Sequence, residues 1–153
     1  MKVCIGGTFN ILHKGHKTLI NKSFEVAGVD GTVFIGLASG KLVKSKIGIK
    51  SLYKRKTELE KYLKKKKFLK KATIQQITDK YGPTLIQDFD AIVVSPETLK
   101  TAEEINIKRK EKGKKPMKII QIPYVLAEDG KPISSSRIIN KEIYENGNIL
   151  QRD

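Results

Sequence analysis

The chain has 153 residues, and its 31 lysines and arginines against 16 aspartates and glutamates give a net charge of +15. This length suits one domain with its own core and is too short for two ordinary ones, so we expect a single domain over residues 1–153. One cysteine excludes an internal disulfide. No apolar run approaches a membrane span, and the apolar amino terminus is interrupted too early for a signal sequence, so we expect a cytoplasmic protein without a membrane partner.

Strand and helix patterns alternate along the first half of the chain. Residues 2–5 form a continuous apolar run, which predicts a short strand covered on both faces. An amphipathic stretch predicts a helix over about residues 15–27, ended by Gly28. A second strand is expected over 32–38 and a second helix over about 52–67. This strand-helix-strand order favours a right-handed crossover and parallel pairing.

The second half continues the alternation. It predicts a strand over 72–77, a strand over 91–95, a helix opened by Pro96 and running to about 111, a strand over 118–122, and a last helix over about 135–145. We therefore predict an α/β fold consisting of one Rossmann-like doubly wound domain. Its five parallel strands should follow the order 3-2-1-4-5, with the site above the carboxyl ends of strands one and four, where the order reverses.

The link between the first strand and first helix carries the clearest motif, Gly-Gly-Thr-Phe-Asn-Ile-Leu-His-Lys-Gly-His over residues 6–16. We interpret Gly6 and Gly7 as a turn that leaves space for phosphate and permits positive φ. The following helix start should point backbone N–H groups at an anion, with His16 in its first turn and His13 facing the same cavity. The alternative is a glycine turn with two surface histidines.

A second candidate anion site lies near the other end of the chain. Ser134, Ser135 and Ser136 precede the last predicted helix, and Arg137 falls in its first turn. Hydroxyl groups could bind phosphate oxygens and the guanidinium could supply positive charge. An ordinary serine cap is the alternative, which three serines in succession make less attractive.

At these residues the sequence resembles a known family. Gly-Thr-Phe-Asn-x-x-His-x-Gly-His over residues 7–16 resembles the signature of the HxGH nucleotidylyltransferase superfamily, and residues 133–137 resemble its ISSxxR-type element. Residues 93–98 and 105–109 resemble the archaeal phosphopantetheine adenylyltransferases and the matching domain of eukaryotic CoA synthase. Four motifs in the family's order cover most of the chain.

The resemblance implies transfer of AMP from ATP to 4'-phosphopantetheine, giving dephospho-CoA and pyrophosphate without a covalent enzyme intermediate. It implies catalytic roles for His13, His16 and Lys46 and a Mg²⁺ ion carried with ATP, with no metal site in the protein. It further implies nucleotide binding by Gly7, Thr8, Phe9, His16, Glu97, Arg109, Ser134, Ser135, Ser136 and Arg137, and acceptor binding by Thr8, Asn10, Lys44 and Lys46.

Three points stay open within this resemblance. Counting back from Arg55 favours Lys46 and then Lys44 as the acceptor-phosphate lysine, whereas counting forward from the second strand favours Lys41. Asn10 stands where the family usually has aspartate. Ser136 stands where threonine is common.

Two other functions fit parts of the sequence. A sister nucleotidylyltransferase acting on nicotinamide mononucleotide, FMN or glycerol phosphate would share both phosphate motifs. A basic nucleic-acid-binding module would explain the charge of +15 but not why both histidines lie in one motif. We therefore expect ATP and 4'-phosphopantetheine as partners and no nucleic acid, and a homo-oligomer is left open.

Overall fold

The computed structural model of the chain describes residues 1–150, so the last three residues of the predicted domain lie outside the described part. The strands are β1 (Lys2–Gly7), β2 (Thr32–Ala38), β3 (Ala72–Ile77), β4 (Ala91–Val94) and β5 (Lys118–Gln121). The α-helices are α1 (Lys14–Ala27), α2 (Leu52–Lys65), α3 (Leu99–Glu111) and α4 (Ser135–Ile139). Within residues 1–150, no helix combines the length and the apolar character that a bilayer crossing needs.

The five strands form one parallel sheet in the order β3-β2-β1-β4-β5, which confirms the predicted α/β topology. The central strand β1 pairs with β2 on one side, where Gly6 lies opposite Gly36, and with β4 on the other, where Cys4 lies opposite Ile92. Because the strand order reverses between β1 and β4, the loops that leave these two strands diverge. A crevice therefore opens at this edge of the sheet.

Both faces of the sheet are buried. Val3 and Ile5 of β1 point to the face that α1 and α2 cover, and Cys4 between them points to the face that α3 covers. The Cys4 side chain is 2% exposed and its Sγ lies 3.7 Å from the Met117 Sδ. Burial raises the pKa of the Cys4 thiol to about 12, so it is a core residue and not a nucleophile.

Two boundaries near the motifs differ from the predictions. β1 continues through Gly6 and Gly7, so the expected glycine turn is part of the strand. The left-handed backbone falls instead on Phe9, with φ +47°. Gly7 is needed for a different reason, because a Cβ there would lie 3.1 Å from the buried Phe9 ring. Hydrophobic periodicity did not show this contact, because periodicity does not predict the left-handed backbone at Phe9.

Helices α3 and α4 are also shorter than predicted. α3 begins at Leu99, and Pro96 lies in the turn before it rather than in its first turn. α4 ends at Ile139 rather than near residue 145. The chain leaves the helix at Lys141, whose φ is +58°, and then folds back so that Ile143 pairs with Ile149. Burial of the Ile143 side chain outweighs continuation of an exposed helix.

The structure places Arg109 away from the predicted nucleotide site. Its side chain is 2% exposed. Its Nε donates to the Lys115 carbonyl at 2.9 Å, and its Nη1 donates to the carbonyls of Thr84 and Gln87 at 2.5 and 2.9 Å. The prediction that Arg109 contacts the nucleotide is therefore wrong. The guanidinium instead joins α3 to the segments before β4 and β5.

We expect Arg109→Met to lower the free energy of unfolding by on the order of 3 kcal/mol, because three buried carbonyls lose their donor. Lys110→Met is the matched control, since Lys110 is exposed on the same helix and its loss should change stability by roughly 0.5 kcal/mol or less. Urea unfolding of both variants measures the difference. Equal stability of the two variants would contradict the structural role of Arg109.

Candidate active site

A cavity of about 710 Å³ lies at the carboxyl edge of the sheet, above β1 and β4. Both candidate anion motifs line it, although they are more than 100 residues apart in the chain. Its walls include Gly7, Thr8, Phe9, Asn10, His13, His16, Lys46, Glu97, Ser134, Ser135 and Ser136. The volume falls in the range of small-molecule sites. The resemblance implies nucleotide binding by residues of both motifs, and one pocket joins them.

The two histidines are held as a stacked pair at the start of α1. His13 is the N-cap residue, and its Nδ1 accepts the N–H groups of Gly15 and His16 at 3.0 and 3.3 Å. His16 Nδ1 in turn accepts the His13 N–H at 3.4 Å. The rings lie 3.7 Å apart and nearly parallel. Since both Nδ1 atoms accept hydrogen bonds, each proton sits on Nε2, which is the group available to a ligand.

The backbone N–H groups at this helix start already have partners. Lys14 N–H donates to the Glu145 carbonyl at 3.0 Å, and Lys17 N–H donates to the His13 carbonyl at 3.0 Å. The N–H groups of Gly15 and His16 point to His13 Nδ1. The prediction that these N–H groups point at an anion is therefore wrong. The imidazole Nε2–H groups replace them as donors.

Both histidines are uncharged at neutral pH. Burial lowers the pKa of His13 to about 4. Burial is the main cause that lowers the pKa of His16 to about 3, and the neighbouring His13 lowers it further. An unperturbed imidazole titrates near neutrality. The structure instead presents two neutral hydrogen-bond donors.

The structure distinguishes between the three candidate lysines. Lys46 lines the cavity, and its Nζ donates to Thr8 Oγ1 at 2.6 Å. Lys41 and Lys44 are not among the lining residues. Among the lining residues that the structure describes, Lys46 is the only lysine or arginine. The roles of Lys46 and Thr8 toward an acceptor stay predictions, but Lys44 is not brought to the site.

Arg137 also lies outside the cavity. Its guanidinium forms an ion pair with Asp129 and donates to the Pro132 carbonyl at 3.1 Å. The prediction that it supplies charge to phosphate is therefore not supported by its placement. Ser134 caps α4 by accepting the Arg137 N–H at 3.3 Å, and it also lines the same cavity as the histidines, together with Ser135 and Ser136. Ser134 is thus a helix cap, and the role of all three serines toward a nucleotide stays a prediction.

Arg55 is a supporting residue that sequence reasoning used only to count positions. Its guanidinium is buried. Nη1 donates to the carbonyls of Thr8 and Ala38 at 3.0 and 2.6 Å, and Nε donates to the Lys50 carbonyl at 3.0 Å. It therefore ties the end of β1 to the end of β2 and to the loop that carries Lys46. Its position one helical turn after the Ser51 cap was visible in the sequence, but its acceptors were not.

Sequence reasoning also missed one wall of the cavity. Residues 122–125, directly after β5, line it together with Leu19, Ile139 and Asn140. The rule that ligands bind beyond the carboxyl ends of parallel strands could have indicated residues 122–125. Nothing in the sequence pattern indicated Ile139, because the expected α4 was longer and placed it in mid-helix.

A second, more apolar cavity of about 220 Å³ meets the first. Thr8 and Lys46 line both cavities, as do Gly6, Gly7 and Thr98. The second cavity continues between the sheet and α3, where Ile77, Pro83, Val94 and Ile105 form much of its wall. A ligand group held at Thr8 and Lys46 would thus have the larger cavity on one side and the more apolar cavity on the other.

Comparison with known proteins agrees with this geometry. The cytidylyltransferase-like family matches residues 4–141. A phosphopantetheine adenylyltransferase of Methanosarcina mazei is 46% identical over 149 residues, covering 97% of this chain and 96% of the relative. One of Archaeoglobus fulgidus is 42% identical over 150 residues, covering 98% and 100%. A crystal structure of a protein of unknown function from Archaeoglobus fulgidus superposes with TM-score 0.71 at 38% identity, covering 80% of this chain and 89% of that one.

The fold, the paired histidines and the matched residues define a nucleotidyltransferase: the chain belongs to the cytidylyltransferase-like family. Within it, the chain groups with the archaeal phosphopantetheine adenylyltransferases, which it matches over nearly its full length. The resemblance drawn from the four motifs is thereby confirmed.

The lowered pKa of His13 predicts how stability changes with pH. Between about pH 6.5 and 4 the unfolded chain binds more protons than the folded chain, so the free energy of unfolding falls as the pH drops. At pH 5 we expect His13 to contribute a loss of about 2 kcal/mol relative to pH 7.5.

His13→Asn tests this expectation because the asparagine oxygen still caps the helix but does not titrate. Urea unfolding of both chains at pH 7.5 and 5.0 measures the change, and carboxylates contribute equally to both. The variant should lose less stability on acidification than the wild type. An identical pH dependence would mean that His13 is not held neutral by its burial.

Proposed function

We propose that the chain transfers AMP from ATP to 4'-phosphopantetheine, producing dephospho-CoA and pyrophosphate in coenzyme A biosynthesis. The observation that carries this proposal is the meeting of two cavities at Thr8 and Lys46. A phosphate held there would have a nucleotide-sized space on one side and an apolar space on the other. The names of the archaeal relatives support the same reaction.

The acceptor assignment depends on the second cavity. Its wall is largely apolar, with Ile77, Val94 and Ile105 facing a space of about 220 Å³. A long, uncharged arm such as that of pantetheine can bury apolar surface there while its phosphate reaches Lys46. Glycerol phosphate has no such arm, and the polar ribosyl and ribityl groups of nicotinamide mononucleotide and FMN would lose hydrogen bonds with water.

Catalysis in this proposal depends on positioning and charge stabilisation. A phosphate oxygen of the acceptor attacks the α-phosphorus of ATP in line, the new P–O bond forms, and the bond to the bridging oxygen breaks as pyrophosphate leaves. The acceptor oxygen is already ionised at neutral pH, so no strong base is needed. Neutral His13 and His16 donate Nε2–H to α-phosphate oxygens, and Lys46 offsets the charge between the two phosphates.

The nucleotide lies in the larger cavity in this arrangement. Its base packs against the apolar wall of Leu19, Ile122 and Val125, and its β- and γ-phosphates reach the hydroxyls of Ser135 and Ser136. Mg²⁺ bound to the phosphates would supply further positive charge to the departing pyrophosphate. Within residues 1–150 no group of three or more His, Cys, Asp and Glu side chains could hold a metal ion. The proposal assigns the Mg²⁺ ion to the phosphates of ATP. Glu97 also lines this cavity, where the nucleotide would bind. The proposal places the reaction in the cytoplasm.

Pyrophosphate release with ATP, Mg²⁺ and one acceptor at a time tests the proposed reaction. We expect release with 4'-phosphopantetheine and none above background with FMN, nicotinamide mononucleotide or glycerol phosphate. Pantetheine without its phosphate is the control for contamination, because it can fill the apolar cavity but lacks the phosphate oxygen that attacks ATP. Release with FMN or nicotinamide mononucleotide, and none with 4'-phosphopantetheine, would reject the assignment.

We expect His16→Ala to lower turnover by roughly two to three decades, since it removes one donor to the developing charge. Thr18→Ala is the control on the same helix, because Thr18 bonds only to the Lys14 carbonyl and does not line the cavity. Steady-state kinetics at saturating ATP measures both variants. Unchanged turnover in His16→Ala would remove that residue from the mechanism.

A further inference from the structure

The Asn10 side chain makes two specific hydrogen bonds beside the site. It is 2% exposed. Its Nδ2 donates to the Gly48 carbonyl at 3.0 Å, and its Oδ1 accepts the Lys50 N–H at 2.7 Å. Both partners belong to the loop of residues 46–50, which lies about 40 positions further along the chain. One buried amide thus fixes the loop two and four residues after Lys46.

The rest of this loop is held at few points. Lys46 and Ile47 are exposed, and Ile47 at the cavity rim is 91% exposed. Gly48 has φ +73°, and a Cβ there would lie 3.2 Å from the Ile139 Cδ1, so the loop passes close to α4. Arg55 Nε binds the Lys50 carbonyl at 3.0 Å. The Lys46 N–H donates to the Val43 carbonyl at 3.0 Å, and the bonds at Gly48 and Lys50 fix the path of the chain after it.

We propose that Asn10 is a positioning residue that holds the loop of residues 46–50 so that Lys46 reaches the acceptor phosphate beside Thr8, and that this task requires a neutral amide. The inference rests on the proposed function, because the acceptor phosphate is the group that Lys46 binds. Asn10 acts through Lys46 and need not touch the reacting atoms.

The amide is required because the loop presents one acceptor and one donor. An aspartate would still accept the Lys50 N–H, but it has no donor for the Gly48 carbonyl, and two oxygen atoms 3.0 Å apart would repel each other. Its negative charge would also oppose an acceptor phosphate at the Lys46–Thr8 pair. The amide therefore matches the one acceptor and the one donor that this loop presents.

Kinetics of Asn10→Ala and of the nearly isosteric Asn10→Asp test the proposal. In both variants we expect KM for 4'-phosphopantetheine to rise about tenfold or more, as for loss of a buried hydrogen-bonded contact, while KM for ATP stays within about twofold. Asn106→Ala is the matched control. Its amide spans the N–H and carbonyl of Met117, each at 2.8 Å, away from both cavities, so it should lower stability without selective loss of acceptor binding.

A double-mutant cycle with Lys46→Met separates positioning from general damage. If Asn10 acts through Lys46, adding Asn10→Ala to Lys46→Met should leave KM for the acceptor nearly unchanged, whereas adding it to Lys44→Met should have its full effect. Additive effects in both backgrounds would overturn the proposal. Equal rises in KM for ATP and for the acceptor would also overturn it, since they indicate only a structural role.

A separate readout distinguishes failure of this inference from failure of the proposed function. If the wild-type chain releases no pyrophosphate with 4'-phosphopantetheine, the proposed function has failed. The loop contact is then judged by hydrogen exchange of the Lys50 amide, which should be protected in the wild type and in Lys46→Met but exchange faster in Asn10→Ala. Equal protection in Asn10→Ala would overturn the positioning role whatever the activity.

Discussion

Parallel pairing of β1 with β2 on one side and with β4 on the other is the constraint on which the site depends. It places the carboxyl ends of β1, β4 and β5 along one edge, so that the loops after them surround the same cavity. The close pairing of Gly6 with Gly36 continues the central strand up to the cavity wall. Gly6 and Gly7 of this strand therefore form part of the cavity wall, and side chains from the surrounding loops and helices form the rest.

Two buried guanidinium groups hold the segments that this topology leaves apart. Arg55 joins the ends of β1 and β2 to the Lys46 loop, and Arg109 joins α3 to the segments that precede β4 and β5. Both bind backbone carbonyls. The carbonyl dipoles offset part of the free-energy cost of burying the guanidinium, but they do not neutralise its positive charge. This arrangement suits Arg55, because its charge lies beneath a site for anions. Arg109 also donates to backbone carbonyls, but it lines neither cavity and contributes to stability alone.

The histidine pair shows how the local fold selects the chemistry. Stacking and burial keep both imidazoles neutral, and capping of α1 by His13 directs its proton to Nε2. Neutral donors can stabilise charge as it develops without binding the ground-state triphosphate so tightly that turnover slows. Lys46 is the only lysine or arginine among the described residues that line the larger cavity, so most of the +15 charge acts from a distance, attracting anions rather than contacting them there.

The sequence by itself indicated the alternation of strands and helices, the histidine motif and the serine cluster, because apolar periodicity and short motifs depend on neighbours in the chain. The strand order followed from the general rule for doubly wound parallel sheets. It could not choose among Lys41, Lys44 and Lys46, and it placed Arg109 and Arg137 at the site. Only the tertiary structure decided these points, since the hydrogen-bond partners come from distant segments. Lys46 donates to Thr8, which lies 38 positions away, and the Lys14 N–H at the start of α1 donates to the Glu145 carbonyl. Periodicity specifies which face of an element is buried, but the acceptor that a long side chain reaches is set by contacts that form only when the chain has folded.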